Sequence, residues 1–341
     1  MSSKRKVRVF VSETHDPWFN LATEDWIFKE LDPEAHVLFL WRNSDTVVIG
    51  RFQNPWVECN TSKMYEDGVK LARRQSGGGA VFQDLGNTNF TFLSSKHGFD
   101  KAANNKIITS AINHFDLNSY PSGRNDILVD DSEGPKKISG SAFKEKRDRS
   151  FHHGTLLINA DLQKLANYLS PHQKKMAAKG ITSVRSRVTN LSHLNPEIAH
   201  ESLTNEVINQ FFDFYQNDCP VETLEHSSLE SIPELQQYYQ FLKDDKWRFG
   251  ETPQFSHHLD ERFDWGGVDV HLDVHKGVIR DCVIFSDSLH PELIQELMEH
   301  FKAASYSVSG IDKVVSAAQS ELPFLKNELS QFREWLKKEI L

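Results

Sequence analysis

The chain has 341 residues, 38% of them hydrophobic and 26% charged, an ordinary globular balance with material for two domains. Its formal net charge of −9 argues against a nucleic-acid binder, and no run of 18 apolar residues offers a membrane span. The basic start enters a strand pattern before a signal-peptide core can form, and three scattered cysteines (Cys59, Cys219, Cys282) support neither a disulfide framework nor a zinc cluster, so a reducing cytoplasm is expected.

Alternation from Val7 to Val11 predicts a first strand. A helix follows, with Asp16 as N-cap, Pro17 in its first turn, and Trp18, Leu21, Ala22, Ile27 and Phe28 as apolar positions. Strand-like runs are expected at 36–41, 46–49, 69–73, 79–83 and 88–93, the last two joined by the turn Asp84-Leu85-Gly86-Asn87. A helix over 101–115 sets Ile108, Ala111, Ile112 and Phe115 on one face. Strands at 126–129 and 136–143 flank the turn-like 131–135, and a strand at 151–159 leads into a helix ending near 169. Helices at 201–215 and 234–242 are separated by an acidic, serine-rich stretch that reads as a loop. Gly250 and Pro253 then punctuate the chain. Beyond them Val268, Val270, Leu272 and Val274 alternate, turn through His275-Lys276-Gly277 into 278–285, and precede a helix from about 291. A last helix carries Leu325, Leu329, Phe332 and Leu336. The class is α+β, and the adjacent strands favour antiparallel and mixed sheets over a doubly wound parallel one.

The most informative stretch is Arg73-Arg74-Gln75-Ser76-Gly77-Gly78-Gly79-Ala80-Val81-Phe82. Glycines let a backbone approach a ligand and aim successive N–H groups at one spot, which suits phosphate oxygens, and the arginines add charge-assisted donors at the rim. Neither a P-loop nor a dinucleotide fingerprint is present, since no Gly-Lys-Ser/Thr follows and Phe82 stands where a third glycine is needed. A glycine turn that binds nothing remains open at this level. Ser122-Gly123-Arg124-Asn125-Asp126 places a cation, an amide and a carboxylate at a strand start. Lys136-Lys137-Ile138-Ser139-Gly140-Ser141-Ala142 puts a lysine beside small residues that leave room for a ligand, and Lys137 and Thr155 are candidates to face one cavity from neighbouring strands. The span 172–187 carries Lys174, Lys175, Lys179, Arg185 and Arg187 without an acidic residue, a basic island on an acidic chain. His271 and His275 have the spacing of a helical zinc pair, but in a strand they stand about 13 Å apart.

Together these residues resemble the bacterial lipoate–protein ligase family. The likeness includes 16–22, 40–43, 46–51, 54–56, 73–87, 122–126, 137–142, 151–157 and 178–187, and continues through 255–267. Gln83 is a departure, standing where close relatives often carry histidine before Asp84, which bears on any acid–base role there. The resemblance implies a large mixed-sheet catalytic domain over 1–248, like that of biotin and lipoate ligases, a linker at 249–255, and a small α+β accessory domain over 256–341 that can rotate about the linker.

It also implies a two-step reaction: lipoate and ATP give lipoyl-AMP and pyrophosphate, then a lysine of an acceptor lipoyl domain takes the acyl group. Lys137 is the implied central stabiliser of charge. Arg74, Gly77, Gly78, Gly79, Ala80, Val81, Phe82, Asn125, Asp126 and Thr155 are implied with it for ATP and adenylate, and Trp41, Arg51 and Ser76 with it for lipoate. Lys179, Gly180, Ile181, Ser183, Val184 and Arg185 would cover the adenylate. Mg²⁺ would accompany ATP, with no ligands assigned. The implied partners are apo lipoyl domains of 2-oxoacid dehydrogenase E2 subunits and the glycine cleavage H protein, and the enzyme is expected to be a cytoplasmic monomer. An octanoyltransferase of the same superfamily, working through a cysteine thioester, and a non-catalytic lipoate sensor are the alternatives.

Overall fold

Asp16 opens the helix Pro17–Glu30 as its side chain allows, its Oδ1 accepting from the Trp18 N–H at 3.1 Å with Pro17 in the first turn. That helix is buried on several faces, so it carries Glu24 and Asp25 into the interior. The structure, a computed structural model, describes residues 6–123, 125–169, 188–249, 257–275 and 277–339. Among them no helix is long and apolar enough to cross a membrane.

The described strands are β1 (Val7–Ser12), β2 (His36–Trp41), β3 (Thr46–Ile49), β4 (Lys70–Arg73), β5 (Val81–Gln83), β6 (Asn87–Ser95) and β7 (Ser119–Ser122). They continue as β8 (Asp126–Val129), β9 (Lys136–Glu145), β10 (Arg149–Leu157), β11 (Val221–Leu224), β12 (His257–Phe263), β13 (Gly266–His275) and β14 (Val278–Ser286). Eight of them form one mixed sheet in the order β11-β1-β2-β6-β10-β9-β8-β7. β1 runs parallel to both its neighbours, and the pairs from β2 to β7 are antiparallel.

Strand alternation splits this sheet into two buried faces. Val7, Val9, Leu38, Leu40, Phe90 and Phe92 pack with the helices Lys101–Asn113 and His200–Tyr215. On the other face Phe10, Val37, Phe39, Trp41 and Phe151 meet the helices Pro17–Glu30 and Pro233–Lys243. A small sheet, β4-β3-β5, holds the glycine stretch between β4 and β5. A separate core joins β12-β13-β14 to the helices Pro291–Phe301, Val308–Glu321 and Lys326–Glu339. The fold is therefore α+β, with a large mixed sheet and a small C-terminal unit.

Several expectations need correction. The turn at 84–87 does not join neighbouring strands: β5 pairs with β3, whereas β6 sits between β2 and β10 in the large sheet. Asp84 makes that change of sheet, accepting from the N–H groups of Gly86 and Asp161 at 2.8 and 2.7 Å. The strand expected at 79–83 starts only at Val81, because 77–80 form the loop itself. The stretch read as loop between 215 and 234 contains β11, whose four residues extend the sheet edge beside β1. β7, β12 and the helix Val308–Glu321 also went unread. Of the expected linker at 249–255 only Phe249 is among the described residues.

Candidate active site

The glycine loop is held from inside by Arg74. Its guanidinium donates to the carbonyls of Gly77, Gly79 and Val48 at 2.7, 2.8 and 3.1 Å, and through Nε to Ser76 Oγ at 3.0 Å. Burial lowers its pKa to about 10, which still leaves the charge in place at neutrality. Gly78 sits at φ +89°, a conformation that favours glycine. Arg73 turns away, donating to the carbonyls of Arg51 and Gln53 at 2.8 Å each and to that of Arg248 at 2.8 Å. Neither arginine spends its hydrogen bonds at the rim as the sequence suggested, because a buried guanidinium must satisfy its own donors with the backbone carbonyls within reach.

The loop borders a cavity whose wall is built by β8, β9 and β10. Gly78, Gly79, Ala80, Val81, Phe82, Arg74, Trp41, Asn125, Asp126, Lys137 and Thr155 all line it. Lys137 Nζ lies 2.6 Å from Asp126 Oδ1 and folds over Gly140, where a Cβ would stand 3.0 Å from that ammonium. Gly140 donates its N–H to Thr155 Oγ1 at 3.3 Å, tying the two strands together at this point. Asn125 Nδ2 donates to the Ser141 carbonyl at 2.9 Å. Asn87 Oδ1 and Ser139 Oγ, both buried in the lining, find no hydrogen-bond partner among the described residues.

Beneath the loop runs a buried relay. Ser76 Oγ lies 2.8 Å from His153 Nε2, and His153 Nδ1 lies 2.7 Å from Glu24 Oε2. Ser76 Oγ also accepts from Arg74 Nε–H, so the hydroxyl stands between the guanidinium and the imidazole. Thr91 Oγ1 donates to the same Glu24 oxygen at 2.8 Å and accepts from Trp41 Nε1 at 3.2 Å. Gln83 sits in a second chain: its Oε1 accepts from Asn43 and its Nε2 donates to Asn89 Oδ1, both at 2.8 Å. An amide meets both demands without titrating, and Gln83 also lines the cavity.

The small unit completes the cavity. Arg262, Asp287 and Leu289 line it, and Asp287 is fixed by Arg262 at 2.8 Å and by the Gly267 N–H at 2.8 Å. The Gly78 N–H, expected to face a phosphate, donates instead to the Ser288 carbonyl at 2.7 Å.

Three expected residues lie off the lining: Gly77, Ser76 and Arg51. Gly77 is pressed against the small unit, and Ser76 is spent in the relay. Arg51 donates to Gln75 Oε1 at 3.2 Å and lies against the rings of Phe52 and Trp247. The segment holding Lys179, Gly180, Ile181, Ser183, Val184 and Arg185 is outside the described residues, as is Arg124. Its described flanks, Leu169 and Val188, both line the cavity. Glu24, His153, Asn87 and Asn89 were missed. His153 was findable, since it precedes Thr155 by two residues on one strand and must share its face. The cysteines stay out of the lining, and burial pushes Cys59 up to about 12 and Cys282 upward as well, so neither offers a thiolate.

Comparison with known proteins identifies the family. The family model for the lipoyl protein ligase A/B catalytic domain matches residues 16–212, and that for the bacterial lipoate protein ligase C-terminus matches 252–336. The chain belongs to the lipoyl protein ligase A/B family. It is 53% identical over 336 residues to the lipoate-protein ligase A of Psychrobacter cryohalolentis, covering 97% of this chain and 98% of that protein. Among solved structures it resembles P. falciparum LipL1 in complex with lipoate, at 35% identity and TM-score 0.82, over 97% of this chain and 99% of the other. A bipartite lipoate protein ligase of Thermoplasma acidophilum, studied with its E2 lipoyl domain, aligns at 25% identity and TM-score 0.63, over 74% and 99%.

Proposed function

We infer that this chain is an ATP-dependent lipoate–protein ligase. A lipoate carboxylate oxygen attacks the α-phosphate of ATP, and the bond to pyrophosphate breaks. The ε-amine of an acceptor lysine then attacks the acyl carbon of lipoyl-AMP, giving an amide and AMP. Both steps concentrate negative charge around one phosphorus and one carboxyl group, so a fixed cation and N–H donors lower the barrier. The observation that carries the reading is that Lys137 and the glycine loop line the same cavity. Lys137 is the stabiliser in both steps. The backbone of 78–82 and Thr155 face the nucleotide, with Asn87 Oδ1 and Ser139 Oγ as buried acceptors for ligand donors. Trp41 and His153, which line the same cavity, are assigned to the lipoate side.

Asp126, with Asn125 next to it, would hold the Mg²⁺ that accompanies ATP, which would supply positive charge to the phosphates. Lys179, Gly180, Ile181, Ser183, Val184 and Arg185, outside the described residues, are assigned to covering the adenylate against water. We assign 1–248 to catalysis, 249–255 to a linker and 256–341 to the accessory unit. The acceptors are lipoyl domains of 2-oxoacid dehydrogenase E2 subunits and the glycine cleavage H protein, met by a monomer in the cytoplasm. The buried, high-pKa cysteines weigh against the thioester chemistry of an octanoyltransferase.

The test is lipoate-dependent ATP–pyrophosphate exchange. Lys137→Ala lowers its rate by roughly 10²–10⁴-fold, the range for losing one preorganised charge stabiliser. An exchange rate near the parent value removes Lys137 from the centre of the mechanism, and no exchange in the parent protein favours a lipoate sensor.

A further inference from the structure

The outer face of the small sheet carries a cluster that ligation does not use. The β12–β13 register pairs His258 with His271 and Asp260 with Asp269, so these side chains share one face. Val268, Val270 and Leu272 point the other way into the core. On the outer face, His258 Nε2 lies 2.7 Å and His271 Nε2 2.8 Å from the same oxygen, Asp269 Oδ1. The two imidazoles stack with centroids 4.6 Å apart and planes 19° from parallel. Phe285, from β14, meets the His271 ring at 82° and limits its tilt. One ligand atom from each of the three residues falls within 4.8 Å of the others, and none of the three lines the ligase cavity.

We propose that His258, Asp269 and His271 bind a divalent transition-metal ion of the zinc class. Two imidazoles and a carboxylate match the donor preference of zinc and leave a position for water. A tetrahedral ion with bonds of about 2.0–2.1 Å sets its ligand atoms about 3.4 Å apart. Opening the two contacts to Asp269 by roughly 0.6–0.7 Å brings them to that spacing. The ligands come from two registered strands, so binding orders no loop. An ion takes a lone pair from each imidazole and neutralises the carboxylate they share. The nearest β14 cysteine, Cys282, pairs with Leu272 and is buried on the inner face, so the donor set lacks sulfur. Such an ion ties β12 to β13.

The test uses the untagged full chain stripped with EDTA. Titration with Co²⁺ gives visible d–d bands that saturate at one equivalent, lack a thiolate charge-transfer band and disappear on adding Zn²⁺. His258→Ala and His271→Ala each weaken Co²⁺ binding by about 100-fold or more, as expected when a ligand is lost. His275→Ala, on the same strand and about 13 Å from His271, leaves binding unchanged. Zn²⁺ raises the melting temperature of the parent but not of His271→Ala. Absence of saturable bands at micromolar Co²⁺, or bands that persist in the His258/His271 double alanine variant, overturns the proposal. None of these readouts depends on ligase activity.

Discussion

Arg74 and Lys137 show how little a residue type says about its job until its surroundings are known. Both are cations beside glycines in the sequence, and both were assigned to the nucleotide. In the fold both border the cavity, but Arg74 spends its donors on the loop's own carbonyls, whereas Lys137 pairs with Asp126. Nothing in composition says on which side of a turn a side chain lies. Arg74→Lys should therefore act through the loop. An ammonium lacks the planar fork that reaches Gly77, Gly79 and Val48 at once, and each buried carbonyl left unpaired costs about 1–3 kcal/mol. The expected outcome is a lowered melting temperature together with weaker ATP binding, whereas Lys137→Ala loses exchange activity without melting early. A parent-like melting temperature with selective loss of ATP affinity would mean that Arg74 touches the nucleotide directly. The relay from Ser76 to Glu24 makes the same point in reverse. Its members lie 129 positions apart at the extremes, His153 against Glu24, and only the packing of the first helix on β10 joins them.

At the scale of elements, periodicity carried most of the reading. The first helix, the strands at 36–41 and 46–49, and the β13–β14 hairpin stand where their patterns and caps place them. What failed was pairing: the turn at 84–87 was legible, but which sheet each flanking strand joins depends on partners far away in sequence. Short edge strands such as β11 failed because four residues with only Leu224 buried give no pattern. Strand β10 also carries a local cost. His152 lies opposite His153, wholly buried among Phe90, Phe92 and Phe143, and neither ring nitrogen has a hydrogen-bond partner among the described residues. Burial, then the neighbouring His153 and Lys101, push its pKa well below the ordinary 6.5. The unfolded chain therefore binds a proton that the folded one refuses, so stability falls as pH drops below about 6.5. His200, lowered to about 4 mainly by burial and then by Arg42 and His15, adds to the slope between pH 6.5 and 4. His152→Phe removes two orphaned polar atoms and one titrating group. Denaturant melts should show it more stable by about 1–3 kcal/mol at pH 7, with the advantage growing toward pH 5. A pH-independent difference would show that the buried ring is not refusing its proton.

For the molecule as a whole, the glycine loop and the small unit meet at a junction beside the cavity. The Gly78 N–H is capped by Ser288, the Ser286 N–H donates to the Phe52 carbonyl at 2.8 Å, and a Cβ on Gly77 would stand 2.1 Å from the Ser288 oxygen. A phosphate using the Gly78 N–H must therefore displace a carbonyl of the C-terminal unit, and nucleotide binding and this contact compete for one donor. Gly77→Ala mimics the displacement without a ligand, because a backbone carbonyl that close cannot be avoided by a side-chain rotation and the small unit has to back away. Hydrogen exchange at the Ser286 amide reports the event. The amide should be protected in the unliganded parent, exchange faster in unliganded Gly77→Ala, and exchange faster in the parent once ATP and lipoate are both added. Unchanged exchange in the variant would mean that the two units do not rest on each other in solution. Acceleration in the variant but not on adding substrates would place the phosphates on donors other than Gly78, leaving the small unit as a fixed wall of the site.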